Sequence, residues 1–291
     1  MSKKTAGIIE MVICAVLWSL AGVLIKKISA GPMVIAGIRS LFAAMCTFFY
    51  MKFAKIKISI NKRVLLGSVF TSATFLLFVS ANKMTDAANA IVLQYTQPIF
   101  ILIFSWLFFK EKLLKKDISV AFCTLFGVAL FFADNLSGDK LWGNFVAIGA
   151  GASIALAFMI YEHVTKGERL TGMLLAHLTT AVVGIGYFAI SPEALTGSDV
   201  FYMGILGIFQ LGIAYVFFCL AVDKISGFAC SIIGAIEPLL NPVLVMIFIG
   251  EKPGKFALWG SLVVIGAVTI WCMLDAKNDK TKNKEKEPAV I

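Results

Sequence analysis

The residues best placed to do chemistry in this chain lie in the middle of an apolar stretch, where Glu237, Pro238, Asn241 and Pro242 interrupt the run 225–250. A charged side chain at the centre of a bilayer costs about 2.5–3.5 kcal/mol on insertion scales, and each proline removes a backbone donor from its helix. Such a segment is expected to face protein or a cavity rather than lipid. Glu237 then reads as a contact for a substrate amine or as a proton carrier. The alternative is a carboxyl group that bonds backbone carbonyls freed by Pro238 and Pro242. An earlier part of the chain repeats the pattern: Pro98 and Glu111 each stand 140 residues before Pro238 and Glu251.

Other polar residues within apolar runs are few. Gln94, Gln97 and Ser105 lie along one helical stripe of the run 87–109, whereas Asn89 falls off it and is expected to be hydrated near the helix end. In the later copy the same line holds Gly234, Glu237 and Val245, with Asn241 matching Ile101. Two polar stripes would therefore meet near mid-membrane; otherwise each hydrogen-bonds neighbouring helices for about 0.6–2 kcal/mol per contact. Arg39 follows Pro32 by seven residues and reads either as a headgroup anchor or as a contact for an anion or carboxylate. His177 falls opposite it at an offset of 138, as a ligand contact or as a histidine satisfied within the bundle. Trp18 is too deep for an interfacial belt. With Phe78, Tyr95, Phe158 and Tyr215 it would supply aromatic walls suited to small amphipathic zwitterions. These residues are the candidate substrate contacts, and Pro98, Pro238 and Pro242 the candidate helix breaks or gates.

The elements that must position them are membrane helices. Hydrophobic residues form 59% of the 291, charged ones 15%, and the mean hydropathy is +0.91, which places the chain outside the soluble globular range. Ten runs qualify as spans: 11–25, 28–51, 64–82, 87–109, 118–133, 141–161, 170–192, 200–222, 225–250 and 256–274. The fifth is short for a crossing, since about 20 residues are needed. The net charge of +9 follows topology rather than a nucleic-acid partner: nineteen Lys and Arg fall on the side of the N-terminus and six on the other. That bias predicts both termini in the cytoplasm.

Enzymatic readings find little support. The chain has two histidines, no HExxH and no GxSxG, and Gly250 to Lys255 is one residue short of a phosphate-binding loop. The six cysteines all sit in apolar runs without CxxC spacing, which suits packing. No catalytic set, metal or cofactor is expected.

An ungapped alignment of 66–112 with 206–252 pairs Leu66 with Leu206, Gly67 with Gly207, Phe78 with Phe218, and the two Pro and two Glu residues. Five spans per half is an odd number, so the second half is expected to be inverted, as in alternating-access transporters. The fold class is thus an all-α polytopic membrane protein of ten transmembrane helices in two inverted five-helix repeats. The repeats are 1–137 and 138–275, and 276–291 is a disordered cytoplasmic tail.

The segment Gly204 to Gly254, with Gln210, Gly212, Ala214, Tyr215, Glu237-Pro238, Asn241-Pro242 and Gly250-Glu251, resembles the EamA family of the drug/metabolite transporter superfamily. Trp18, Arg39 and the stretch Pro98 to Glu111 look like its first-half copy. The resemblance implies a ten-helix transporter with cytoplasmic termini that exports amino acids or related small metabolites. The expected partners are a small-molecule cargo and the bilayer of the cell membrane, with a homodimer left open and no nucleic acid. Where that family usually has glycine before the glutamate, this chain has Lys110, which leaves the geometry of the first-half turn open.

Overall fold

A computed structural model describes residues 2–270 apart from 111–114, 134–139, 226–229, 231, 232, 253 and 268. Glu111, the boundary at 137/138 and the tail 276–291 lie outside the described residues. Among the described residues all regular structure is helical. Seven helices are long and apolar enough to cross a membrane, and three shorter apolar ones accompany them.

Polar residues at the ends of these helices satisfy the backbone donors that a helix start leaves open. Ser2 caps α1 (Lys3–Trp18) through the Thr5 N–H, and Asn61 caps α4 (Lys62–Met84) through the Val64 N–H. Pro32 opens α3 (Pro32–Phe53), where its missing donor costs nothing. Reciprocal capping boxes, Thr165 with Glu168 and Thr196 with Asp199, start α9 (Lys166–Ile190) and α10 (Gly197–Ile205). Between them in the chain lie α2 (Ala21–Lys27), α5 (Ala87–Gln94), α6 (Gln97–Phe109), α7 (Lys115–Ala133) and α8 (Leu141–Tyr161). After α10 a π-helical stretch, Leu206–Ile213, runs into α11 (Ala214–Val222), followed by α12 (Ile236–Ile249) and α13 (Lys255–Ala267).

The fourth crossing is not one helix. It turns at Tyr95 (φ −67°, ψ 1°) and Thr96 (φ −70°, ψ −3°), and the Thr96 hydroxyl donates to the Leu93 carbonyl at 2.6 Å. Pro98 carries no N–H for the Gln94 carbonyl, which is the physical reason that the ladder stops there. The expected stripe of Gln94, Gln97 and Ser105 is accordingly interrupted rather than continuous. The chain turns again at Ala235 (φ −63°, ψ −9°), 140 residues after Tyr95, where α12 begins. Pro242 was expected to break that helix as well, yet α12 continues through it, so the turn belongs to the residues before Pro238.

The main packing partners are α4 with α8, α3 with α9, α4 with α9, α3 with the π stretch, α1 with α11, α5 and α6 with α8, and α12 with α2 and α5. Close approach depends on small residues. Gly37 and Gly184 meet backbone to backbone between α3 and α9, so neither position has room for a Cβ. The seam Gly143, Ala147, Gly151 and Ala155 on α8 is buried throughout, and a Cβ on Gly151 would lie 2.8 Å from the Gln94 carbonyl. α8 therefore covers the break in the fourth crossing. It also covers Asn89, which was expected in water. Asn89 is fully buried, with its amide 3.5 Å from Asn144 Oδ1 and its own oxygen unpartnered.

Candidate functional site

Arg39 stands on α3 in the interior, with 1% of its surface exposed. The snorkelling alternative fails on that burial. Its two terminal nitrogens donate to neutral acceptors, Nη1 to Gln210 Oε1 at 3.2 Å and Nη2 to the Phe75 carbonyl at 3.3 Å. Gln210 lies in the π stretch, and π turns recur at functional positions in helices. Phe75, on α4, also stacks its ring on His177 of α9, with centroids 5.0 Å apart and planes at 6°. Arg39 and His177 are thus brought together through one phenylalanine, and His177 has no exposed surface.

Aromatic rings continue from this point. Tyr215 meets the Phe75 ring edge-on at 5.4 Å and His177 at 6.2 Å, and on its other side it packs against Trp18 at 5.2 Å. Phe218 joins Trp18 at 5.6 Å and stacks on Phe158 at the same separation. Residues from α1, α4, α8, α9 and α11 therefore form one aromatic wall, which meets the buried Arg39 at Phe75.

Glu237 and Asn241 approach from α12. Glu237 is 6% exposed, and Tyr215 is within electrostatic reach of both Glu237 and Arg39. Asn241 donates its side-chain amide to the Ser19 carbonyl at 2.9 Å, at the point where α1 gives way to α2. Ser19 in turn donates its hydroxyl to the Ala15 carbonyl at 2.7 Å, so hydrogen bonds on both sides hold this interruption of the first crossing. Gly22 leaves room for Asn241: a Cβ there would meet its Oδ1 at 2.6 Å. Tyr95, at the break of the fourth crossing, has its hydroxyl 3.1 Å from where a Cβ of Gly234 would stand. Gln94 and Gln97 are half-buried on either side of that break.

The two ends of the bundle are fastened by charge. On the face opposite the N-terminus, Lys26 lies 3.3 Å from Glu251 and donates to the Thr85 carbonyl at 2.8 Å, while Glu251 accepts the Ala87 N–H at 2.7 Å. Burial pushes the Glu251 carboxyl above the usual carboxylate range, and Lys26 and the Ala87 N–H pull against that shift. Asp199 accepts both the N–H and the hydroxyl of Ser29 at 2.8 Å, and Glu193 accepts the Gly31 N–H at 2.6 Å. On the N-terminal face Lys224 pairs with Glu10, Arg169 with Asp223 at 3.3 Å, and Asn61 donates to Glu168 at 2.6 Å.

Of the residues singled out in the sequence, Trp18, Arg39, Phe158, His177 and Tyr215 share this wall, with Glu237 within electrostatic reach of Tyr215. Phe78 does not join it; it packs in the apolar core with Ile25, Val34, Val79 and Ile91. Phe75, Gln210 and Phe218 were missed as site residues. The internal alignment held a signal for Phe218, which is the match of Phe78. The position of Phe75 has no such marker in an apolar run.

The chain matches the EamA-like transporter family in two stretches, 5–133 and 141–272. It is 25% identical over 289 residues to solute carrier family 35 member G1 of Mus musculus, covering 90% of this chain and 77% of that one. It is 24% identical over 203 residues to a probable amino-acid metabolite efflux pump of Escherichia coli (strain K12), covering 68% of this chain and 67% of the pump. A solved crystal structure shares the fold with a TM-score of 0.66 at 16% identity, over 93% of this chain and 98% of its own. With a membrane-spanning helical bundle and a family match over nearly its whole length, the chain belongs to the EamA-like transporter family of the drug/metabolite transporter superfamily.

Proposed function

We propose that this chain is a secondary-active exporter of amino acids or related small metabolites, working by alternating access between two inverted five-helix halves of a ten-helix bundle. The observation that carries this reading is the pair of helix turns at Tyr95–Thr96 and Ala235, 140 residues apart, on crossings that pack together beside a buried carboxylate. Interrupted helices at a repeat interface are where transporters of this architecture hold their cargo. Packing supports the same reading: exchanging each crossing for its counterpart in the other half turns α4–α8 into α11–α1 and α4–α9 into the π stretch with α3, and both pairs are present. The two separate family matches divide the chain in the same place, and relatives named as efflux pumps support export.

In this reading the protein is a carrier rather than an enzyme, and a gradient supplies the energy. It sits in the plasma membrane with the N-terminal face in the cytoplasm, which makes Lys26–Glu251 part of an external closure. Glu237 exchanges a proton or holds the cargo amine. Counterflow is the decisive test: liposomes containing the purified protein and preloaded with unlabelled amino acid should take up labelled amino acid transiently against its gradient. A monotonic approach to equilibrium would mark a channel, and no uptake with any cargo identified by metabolite profiling would overturn the reading. Topology is checked separately on intact cells, where an impermeant thiol reagent should label Ser198→Cys and spare Lys57→Cys.

A further inference from the structure

We propose that Arg39 and His177 form an anion site, and that its occupant is a carboxylate group of the transported molecule. A guanidinium withdrawn from water needs an anionic partner or a strong set of acceptors. Among the described residues no carboxylate lies within 4.0 Å of Arg39; its acceptors are one amide oxygen and one backbone carbonyl. Those two neutral contacts fix the orientation of the fork without cancelling its charge. Its Nε has no partner, and neither ring nitrogen of the buried His177 has one. Trp18 Nε1, on the same aromatic wall, is also unpartnered. Donors held rigidly, unpaired and out of water are what a planar anion requires, and a guanidinium matches a carboxylate in two parallel bonds.

The surroundings favour an organic carboxylate over a bare ion. Phe75, Tyr215 and Trp18 place aromatic surface beside the donors, and Tyr215 lies within electrostatic reach of Glu237 as well. A molecule with a carboxylate, an apolar body and an amine can therefore extend from Arg39 along the aromatic wall toward Glu237. The inference rests on the transport reading only in calling this anion the cargo.

The test is a binding measurement on the full chain in lipid nanodiscs, separate from any flux assay. A panel of α-amino, α-hydroxy and unsubstituted carboxylates, each paired with its own amide, is screened by thermal shift and titrated. At least one acid should raise Tm and bind about tenfold or more tighter than its amide. Arg39→Gln should erase that preference. Because Arg39→Gln removes a buried charge and its contacts, Gln210→Glu supplies an independent arm. It places a carboxylate where the amide oxygen now stands 3.2 Å from Nη1, so the guanidinium is paired internally. Gln210→Glu should hold or raise the Tm of the free protein and lose the acid preference. No acid distinguished from its amide, or a Gln210→Glu protein that binds acids as the wild type does, overturns the proposal. Stabilisation by chloride with no such acid preference assigns the site to an inorganic ion and overturns it equally. Flux without acid preference sinks this site alone, whereas Arg39-dependent acid binding without flux sinks the transport reading alone.

Discussion

The two proline-bearing stretches, α5–α6 and the one that runs into α12, use one backbone plan with different side chains. Both turn just before their proline, at Tyr95–Thr96 and at Ala235, and both helices after the turn end on a left-handed residue, Lys110 at φ 55° and Gly250 at φ 79°. At matched positions, however, the first has Gln97, Ile101 and Lys110 where the second has Glu237, Asn241 and Gly250. The interruption is common to both copies, while the ionisable side chain beside it, Glu237, stands in the second, where the first has the neutral Gln97. Lys110 also answers the question left by its sequence: the turn keeps its left-handed shape without glycine, at the conformational cost that a Cβ brings there.

That asymmetry can be broken experimentally, beginning with its largest expected effect. Glu237→Gln in liposomes should fold but lose tenfold or more of its flux, or lose the pH dependence of flux, while Gln97→Ala stays within about twofold of wild type. Equal losses would show that the chemistry is shared. Next, Asn241→Ala leaves the buried Ser19 carbonyl without its donor and should cost about 1–3 kcal/mol of stability in an SDS unfolding titration. Gly151→Ala pushes a methyl toward the Gln94 carbonyl and should cost about 1–3 kcal/mol in the same assay; a neutral result would mean that α8 does not clamp the break. The smallest effect concerns the two caps. Lys110→Gly should stabilise and Gly250→Ala destabilise, each by about 1 kcal/mol, measured by the shift of the unfolding midpoint.

Hydropathy made the bundle legible because membrane helices must be long and apolar, and the proline spacing located both turns to within three residues. Arg39 and His177 were singled out as matching positions of the two halves, since an expensive polar residue inside a span has few explanations. Phe75 was not visible: the backbone carbonyl and ring that join those two side chains look like any phenylalanine in an apolar run. Asn89 was misplaced because distance from a helix end does not say what covers it. Likewise Ser19–Leu20 has no proline to mark the interruption, which is held by an asparagine 222 residues away in sequence.

The widened turn at Leu206–Ile213 has a geometric effect on recognition. In a regular α-helix, side chains five positions apart diverge by about 140° round the axis, whereas an i→i+5 turn stacks them on one side. Gln210 and Tyr215 are five apart, yet one bonds Arg39 and the other packs against Phe75 and His177. Gln210 lies in the widened stretch and Tyr215 just beyond it in α11, so one continuous helix brings both an amide and a phenol to the region of Arg39 and His177. Rewinding that stretch as regular α-helix would change the rotation between the two side chains, so the contacts around Arg39 and the winding of one helix are linked.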